Sequence, residues 1–282
     1  MKRSRIIGFT VCLLLSASPW RVLGREPIEK NRALVLKKLQ TLGGPEHQEI
    51  LRACKAEDWR CKVESIEAAA LEHVFPKFAF HSVRFAQYPV GFAPPPPLSA
   101  SNIFVVSPAQ TVSYFSDKTA LEQFFRSSAM PTPNPAGARE TILAWLRLSQ
   151  ELHQDGMFQF AIPQDSLKIT ESPAGIVATG KAVVENSGGG NLGEVVATLE
   201  LDKVGKLLRA REESSLKAGI RPICQATKLL DTDPIVRRMA EQDIHIMGSD
   251  AKPYLDYQRT KASPELRAAI DRAWARILAD GR

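Results

Sequence analysis

The chain has 282 residues, of which 37 are basic and 31 acidic, for a formal net charge of +6. Lys2, Arg3, Arg5 and Arg21 stand in the first 24 residues, which hold no acid, so the other 33 basic residues face all 31 acidic ones at a net of +2. That balance, with no basic stripe and no nucleic-acid-binding module, excludes nucleic acid as the partner, and residues 25–282 suffice for one sizeable core or two small ones.

The first segment has the make-up of an export signal. Met1 to Arg5 is basic, Ile6 to Ala17 is mostly apolar, and Val22-Leu23-Gly24 precedes the expected cut, so the mature chain is expected to begin at Arg25 in the periplasm or outside the cell. An uncleaved anchor is the alternative reading. Against it, the apolar run falls short of the roughly 20 residues that span a bilayer, and Pro19 interrupts the chain just past its end. No later segment reads as a transmembrane span. Cys12, preceded by Thr10-Val11, lacks the small-residue setting of a lipidated cysteine.

Removal of this leader leaves Cys54, Cys61 and Cys224, an odd number in a compartment that permits disulfides. On one continuous helix, Cys54 and Cys61 would be separated by roughly 10.5 Å of rise, too far for a bridge. A turn through residues 55–60, with Asp58 as the next N-cap, would bring them together. The favoured reading is a Cys54–Cys61 disulfide closing a helical hairpin, and the alternative is two packed thiols. Leu34, Val35, Leu36 and Leu39 place the first helix at 27–42, and Gly43-Gly44-Pro45 stops it. A second helix is expected at 46–54. A third is expected at 58–74, with Val63, Ile66, Ala70 and Val74 on one face.

Residues 76–100 read as a linker. Phe75, Phe78, Phe80, Phe85 and Phe92 are interleaved with prolines, and Pro94 to Pro97 favour an extended polyproline spacer whose phenylalanines pack on the neighbouring domain. The alternative is a ligand for an aromatic-lined groove. Two strands come next, at 102–106 and 111–115, then a helix at 117–129 capped by Asp117 and a stronger helix at 138–154. In the latter, Ile142, Trp145, Leu146, Leu148 and Leu152 form a wide apolar face. Five strand segments succeed it, at 157–162, 166–170, 176–185, 194–202 and 206–212. Val195, Ala197, Leu199 and Leu201 alternate with Glu194, Thr198, Glu200 and Asp202, the pattern of an antiparallel sheet with one wet face. The fold class is therefore α+β, an antiparallel sheet packed on two helices with Trp145 beneath it.

The tail, 221–282, is helical. Asp233 is an N-cap and Pro234 suits the first helical position, while Gly248 suits the stop. A shift of 30 residues lays Pro234 on Pro264, Val236 on Leu266, Arg237 on Arg267, Ala240 on Ile270, Ile244 on Trp274 and Met247 on Ile277. Asp233, Pro234, Val236, Arg237, Ala240, Gly248, Ala251 and Leu255 resemble a HEAT-like helical repeat. Stacked repeats bury their faces with three or more copies, and about one and a half are present here. The tail is accordingly expected to brace the other domains, with Val236, Met239, Ile244, Trp274 and Ile277 buried against them. The run from Arg221 to Asp231, together with the segments Trp145 to Gly156 and around Asp233, also resembles a family of exported bacterial proteins of unknown function. That likeness implies the layout and no activity. The full expectation is an N-terminal helical unit at 25–75, the linker, an α+β sheet domain at 101–220, and a C-terminal unit of HEAT-like helices at 221–282.

No residue is assigned to catalysis, a cofactor or a metal. The five histidines form no helix-spaced pair. His73 and His81 flank Pro76 and are a weak metal candidate, outweighed by ordinary structural roles. His153 with Asp155, and Ser166 as nucleophile, sketch a hydrolase site, but a helix end and an Asp-Gly stop explain the same residues. Cys224, next to Ile223 after Pro222, reads as a buried structural thiol more readily than a reactive one. Gly188 to Gly190 joins two strands, lacks the following Gly-Lys-Ser or Gly-Lys-Thr, and is rejected as a nucleotide loop. Arg237, Arg238, Arg259 and Arg267 form a candidate interaction face, against the simpler reading of a solvated face paired with its acids. The expected function is an exported, non-catalytic interaction or structural module of the cell envelope, whose partner is another envelope protein. Two alternatives stand beside it: a hydrolase-type enzyme with its site between the sheet and the 138–154 helix, and an α+β domain holding a small ligand around Trp145.

Overall fold

Leucine and valine at helical spacing open the described chain as a hairpin of two helices, α1 (Ile28–Leu42) and α2 (Pro45–Lys55). The computed structural model describes residues 28–56, 61–85, 101–185, 190–219 and 226–281. The expected export signal, the four prolines, residues 186–189 and Cys224 lie outside them. Arg32 ties the two helices together by donating from Nη2 to the Cys54 carbonyl at 2.8 Å. Cys54 at the end of α2 is joined as a disulfide to Cys61, with a Cα separation of 4.9 Å.

Beyond the bridge the chain departs from the expected third helix. Residues Cys61–Ser65 form strand β1, and only Ala69–Val74 form a helix, α3. Strand β2 (Ala79–Phe85) then pairs antiparallel with β1, Val63 facing Val83. The expected linker therefore supplies a strand before residue 86. The physical reason lies in the long-range partner: Val63 and Val83 meet across a ladder, and the helical spacing of Val63, Ile66 and Ala70 is weaker than that pairing. Strands β3 (Ile103–Val106) and β4 (Val112–Phe115) complete a sheet in the order β1-β2-β3-β4. Asn102 extends the ladder with its side chain. Its Oδ1 accepts from the Val83 amide at 2.6 Å and its Nδ2 donates to the Val83 carbonyl at 2.8 Å.

All four residues of β3 are buried because this sheet is covered on both faces. Val83, Phe85, Phe104 and Val106 pack against Val35, Leu39, Ile50 and Leu51 of the first two helices. Phe80, Ile103, Val105 and Phe115 face the other way, toward helices α4 (Lys118–Ser128) and α5 (Pro135–Leu152). Both helices are capped by side chains: Asp117 accepts from the Ala120 amide at 2.9 Å and Asn134 from Gly137 at 2.7 Å. Phe75, Phe78 and Phe80 of the aromatic stretch pack into the core. The ring of Phe75 stacks on Phe124 at 4.8 Å and meets Phe125 edge-on at 4.9 Å.

The second sheet is made from β5 (Phe160–Ala161), β6 (Lys168–Ser172), β7 (Gly175–Val184), β8 (Glu194–Leu201) and β9 (Leu207–Ser214). All its pairings are antiparallel, in the order β5-β7-β8-β9, with β6 also pairing β7. Val195, Ala197, Leu199 and Leu201 are buried, as the alternation requires, while Thr179 and Thr198 share a bond at 3.2 Å on the other face. Helix α5 lies across this sheet at Gly180. A β-carbon there would stand 2.6 Å from Leu167 Cδ2 and 3.1 Å from Leu146 Cδ1, so glycine is what permits the close approach. The chain up to β9 is thus four layers, helices, sheet, helices, sheet, with fully buried Trp145 between the last two. This is an α+β fold.

The last unit has its own core. A 3-10 turn (Ala226–Leu230), helices α6 (Pro234–Met247), α7 (Lys252–Lys261) and α8 (Pro264–Ala279) bury Ala226, Leu229, Ile244, Leu255, Ile270 and Ile277 among themselves. Asp233 and Ser263 cap α6 and α8, accepting from Ile235 at 2.8 Å and Leu266 at 3.3 Å. Of the residues expected to be buried against the other domains, Val236 is half-buried and the rest differ from that expectation. Ile244 and Ile277 are buried, yet in the unit's own core, Trp274 packs against that same core, and Met239 is 59% exposed. No helix among the described residues is long and apolar enough to cross a membrane.

Candidate functional site

Helix α5 carries polar groups on a buried surface. Trp145, Ser149 and His153 recur every four residues on one face, and all three reach Glu212 on β9. Trp145 Nε1 donates to Glu212 Oε2 at 2.8 Å, Ser149 Oγ donates to the same oxygen at 2.6 Å, and His153 Nε2 lies 2.9 Å from Oε1. The Glu212 side chain is 6% exposed and that of His153 25%. Burial pushes the Glu212 carboxyl up, but the hydrogen bonds from His153, Ser149 and Trp145 and the charge of His153 together hold it below the ordinary glutamate value. The result is an ionised carboxylate locked between a helix and a sheet.

A second carboxylate sits on the same helix. Glu151, 5% exposed, receives Arg147 at 2.7 Å on Oε1 and the Arg84 guanidinium on Oε2. Arg84 lies on β2 and also faces Glu64 at 3.7 Å. Glu151 and Glu212 therefore link α5 to one sheet each, and a buried charge persists only when it is paired in this way.

The sketched hydrolase site does not assemble. Asp155 Oδ1 accepts from the amides of Met157 and Phe158 at 2.8 and 3.2 Å, closing a turn. Ser166 donates to the Pro163 carbonyl at 2.6 Å. The carboxylate that meets His153 is Glu212, and the one hydroxyl in that set, Ser149, donates to the acid instead of the imidazole. Nucleophilic catalysis needs the hydroxyl on the base. Trp145 is fully buried in one core with Ile142, Leu146 and the inward residues of β7 and β8. The weak metal candidate also separates. His73 faces Glu140 at 3.6 Å at the protein surface, whereas His81 is buried in β2. Among the described residues no group of three or more metal-binding side chains occurs.

The arginines of the tail divide by role. Arg237 Nη1 donates to the carbonyls of Asp231 and Thr232 at 2.6 and 3.0 Å, fastening the 3-10 turn to α6. Arg259 binds Asp271 through both carboxylate oxygens at 2.8 and 3.3 Å, and this bond holds Asp271 below the ordinary aspartate value. Arg267 is exposed on α8. Arg238 belongs elsewhere, in a cleft of about 320 Å³ lined also by Glu241, Gln242, His245 and Arg276. The four expected interaction residues thus differ in what they bond.

Sequence reasoning missed Glu212 and Glu151. The spacing of Trp145, Ser149 and His153 on an otherwise apolar helix was the available signal for a buried acid. Its partner, 59 residues beyond His153, is fixed by the register of β9. Neither a protein family, nor a curated protein, nor a solved structure matches the chain.

Proposed function

We propose that this chain is an exported, non-catalytic interaction module of the cell envelope, in which the four-layered α+β body carries a helical arm, residues 226–281, that meets another envelope protein. The observation that carries this reading is the arm's construction. It fills a core from its own residues and turns Ile235 and Met239, one helical turn apart on α6 and 56% and 59% exposed, toward solvent. The Cys54–Cys61 bridge is in keeping with an oxidising compartment. The basic, then apolar start of the chain supports export, and the capped pair α6 and α8 supports the HEAT-like reading of the arm.

Site-specific photocrosslinking in intact cells tests the reading. A crosslinking residue at Met239 should give a discrete adduct with an envelope protein, and one at Leu208, an apolar residue of β9 exposed to 52%, should not. No adduct at Met239, or the same adduct from both positions, would sink the proposal.

A further inference from the structure

The outermost strand of a sheet presents a row of amides and carbonyls with which a second chain can pair. Among the described strands β9 is such an edge. It ends the order β5-β7-β8-β9, pairs with β8 alone, and at eight residues is longer than β1, β4, β5 or β6, which also stand at edges. Its outer side is occupied by side chains. The Ala210 amide donates to Glu122 Oε1 of α4 at 3.1 Å, and Arg126 Nη2 donates to the Leu208 carbonyl at 2.6 Å. The same Arg126 nitrogen donates to Glu122 Oε1 at 2.7 Å, so two residues one turn apart on α4 are fixed to each other as well as to the strand. An acceptor and a donor therefore stand where a neighbouring strand would place its own backbone.

Helix α4 is held beside this edge by other contacts. Leu121 and Phe125, which flank Glu122 and Arg126, are fully buried in the core. The turn into β9 rests on the segment that follows α4: Gly205 has φ +83°, and a β-carbon there would stand 2.3 Å from the Thr132 carbonyl oxygen. The strand itself suits a second copy as partner. When two β9 edges are paired antiparallel about a two-fold axis at Arg211, Arg209 of each copy faces Glu213 of the other, an opposite-charge pair. Arg211 then faces its own counterpart, a repulsion eased by Glu200 of β8 at 3.5 Å. In that register Ala210 faces Glu212 of the other copy, and the two residues must exchange backbone bonds. The Ala210 amide is the group that Glu122 already holds.

We infer that Glu122 and Arg126 guard the β9 edge, keeping a second copy of this chain from adding its own β9 antiparallel to it. The guard occupies Leu208 and Ala210, and beyond them β9 continues for only four residues, 211–214, the short kind of edge that resists pairing. Both copies of a two-fold pair carry the guard, so each would have to release its own Ala210 amide before the ladder could form.

Light scattering on the full chain, over a concentration series after size exclusion, tests this. The wild type should hold one mass at every concentration, and Glu213→Lys alone should leave that mass unchanged. A chain carrying both Glu122→Ala and Arg126→Ala should approach twice that mass as concentration rises. Adding Glu213→Lys to it, which sets lysine opposite Arg209 of the other copy, should restore the wild-type mass. A double variant that keeps the wild-type thermal transition and the wild-type mass would overturn the inference. So would a doubled mass indifferent to Glu213→Lys, or a wild type whose own mass falls with that substitution. If the double variant does not fold, Arg126→Ala alone decides, because that side chain is 47% exposed and its loss spares the core. It should show the same concentration-dependent rise in mass, and a constant mass would overturn the inference.

Discussion

Glu212 is the residue on which the chemistry of the body turns. Its carboxylate takes three donors from α5 and is held ionised, so its contribution has a definite pH dependence. Because its pKa in the folded state lies below the ordinary glutamate value, the stabilisation is fully present above that value and is lost as pH falls through the folded one. Glu212→Gln should cost about 1 to 3 kcal/mol in urea unfolding near neutral pH, the scale of a buried charged hydrogen bond. The gap to the wild type should narrow as pH falls through the lowered folded-state pKa of Glu212, below which both side chains are neutral. A gap that stays constant with pH would show that the ionised form contributes nothing. Little of this was legible in the sequence. Asp155 lies two residues from His153 and is the obvious acid by proximity, but its short side chain closes its own turn, while the acid that pairs with the imidazole arrives from another strand.

At the scale of elements, local chemistry made the caps and the antiparallel strands readable. Asp117, Asp233 and Ser263 cap helices because the signal and the bond lie within three residues. The alternation in β8 was readable because one of its faces is wet. The segment 58–74 was not readable in the same way. Its strand, β1, exists through pairing with β2, and β2 lies in a stretch whose prolines and phenylalanines masked a fully covered strand. The bridge at Cys61 fastens that edge strand to α2. Under denaturing, non-reducing conditions a chain that begins at Arg25, as the proposed export would leave it, should therefore titrate one thiol, Cys224, since two of its three cysteines are joined. Three thiols would contradict the bridge. Replacing both Cys54 and Cys61 with serine should lower stability by about 2 kcal/mol, the loop-closure scale for so short a loop.

The molecule as a whole divides after β9. Trp145, the Phe75 cluster and the two buried carboxylates tie α5 to both sheets, so the body up to residue 219 is expected to unfold as one cooperative unit. The tail's well-formed helices were legible in the sequence, but their place was not. The apolar positions that looked like a docking stripe close on one another instead, leaving Ile235 and Met239 outside, because helix periodicity states that a face is apolar and not which neighbour covers it. A self-contained arm, as opposed to a brace for the sheets, is tested most directly by calorimetry of the full chain against a chain ending at residue 219. The arm predicts that truncation removes one transition and leaves that of the body at its original temperature. A brace predicts the opposite, a body whose transition falls by several degrees or disappears when the helices are removed.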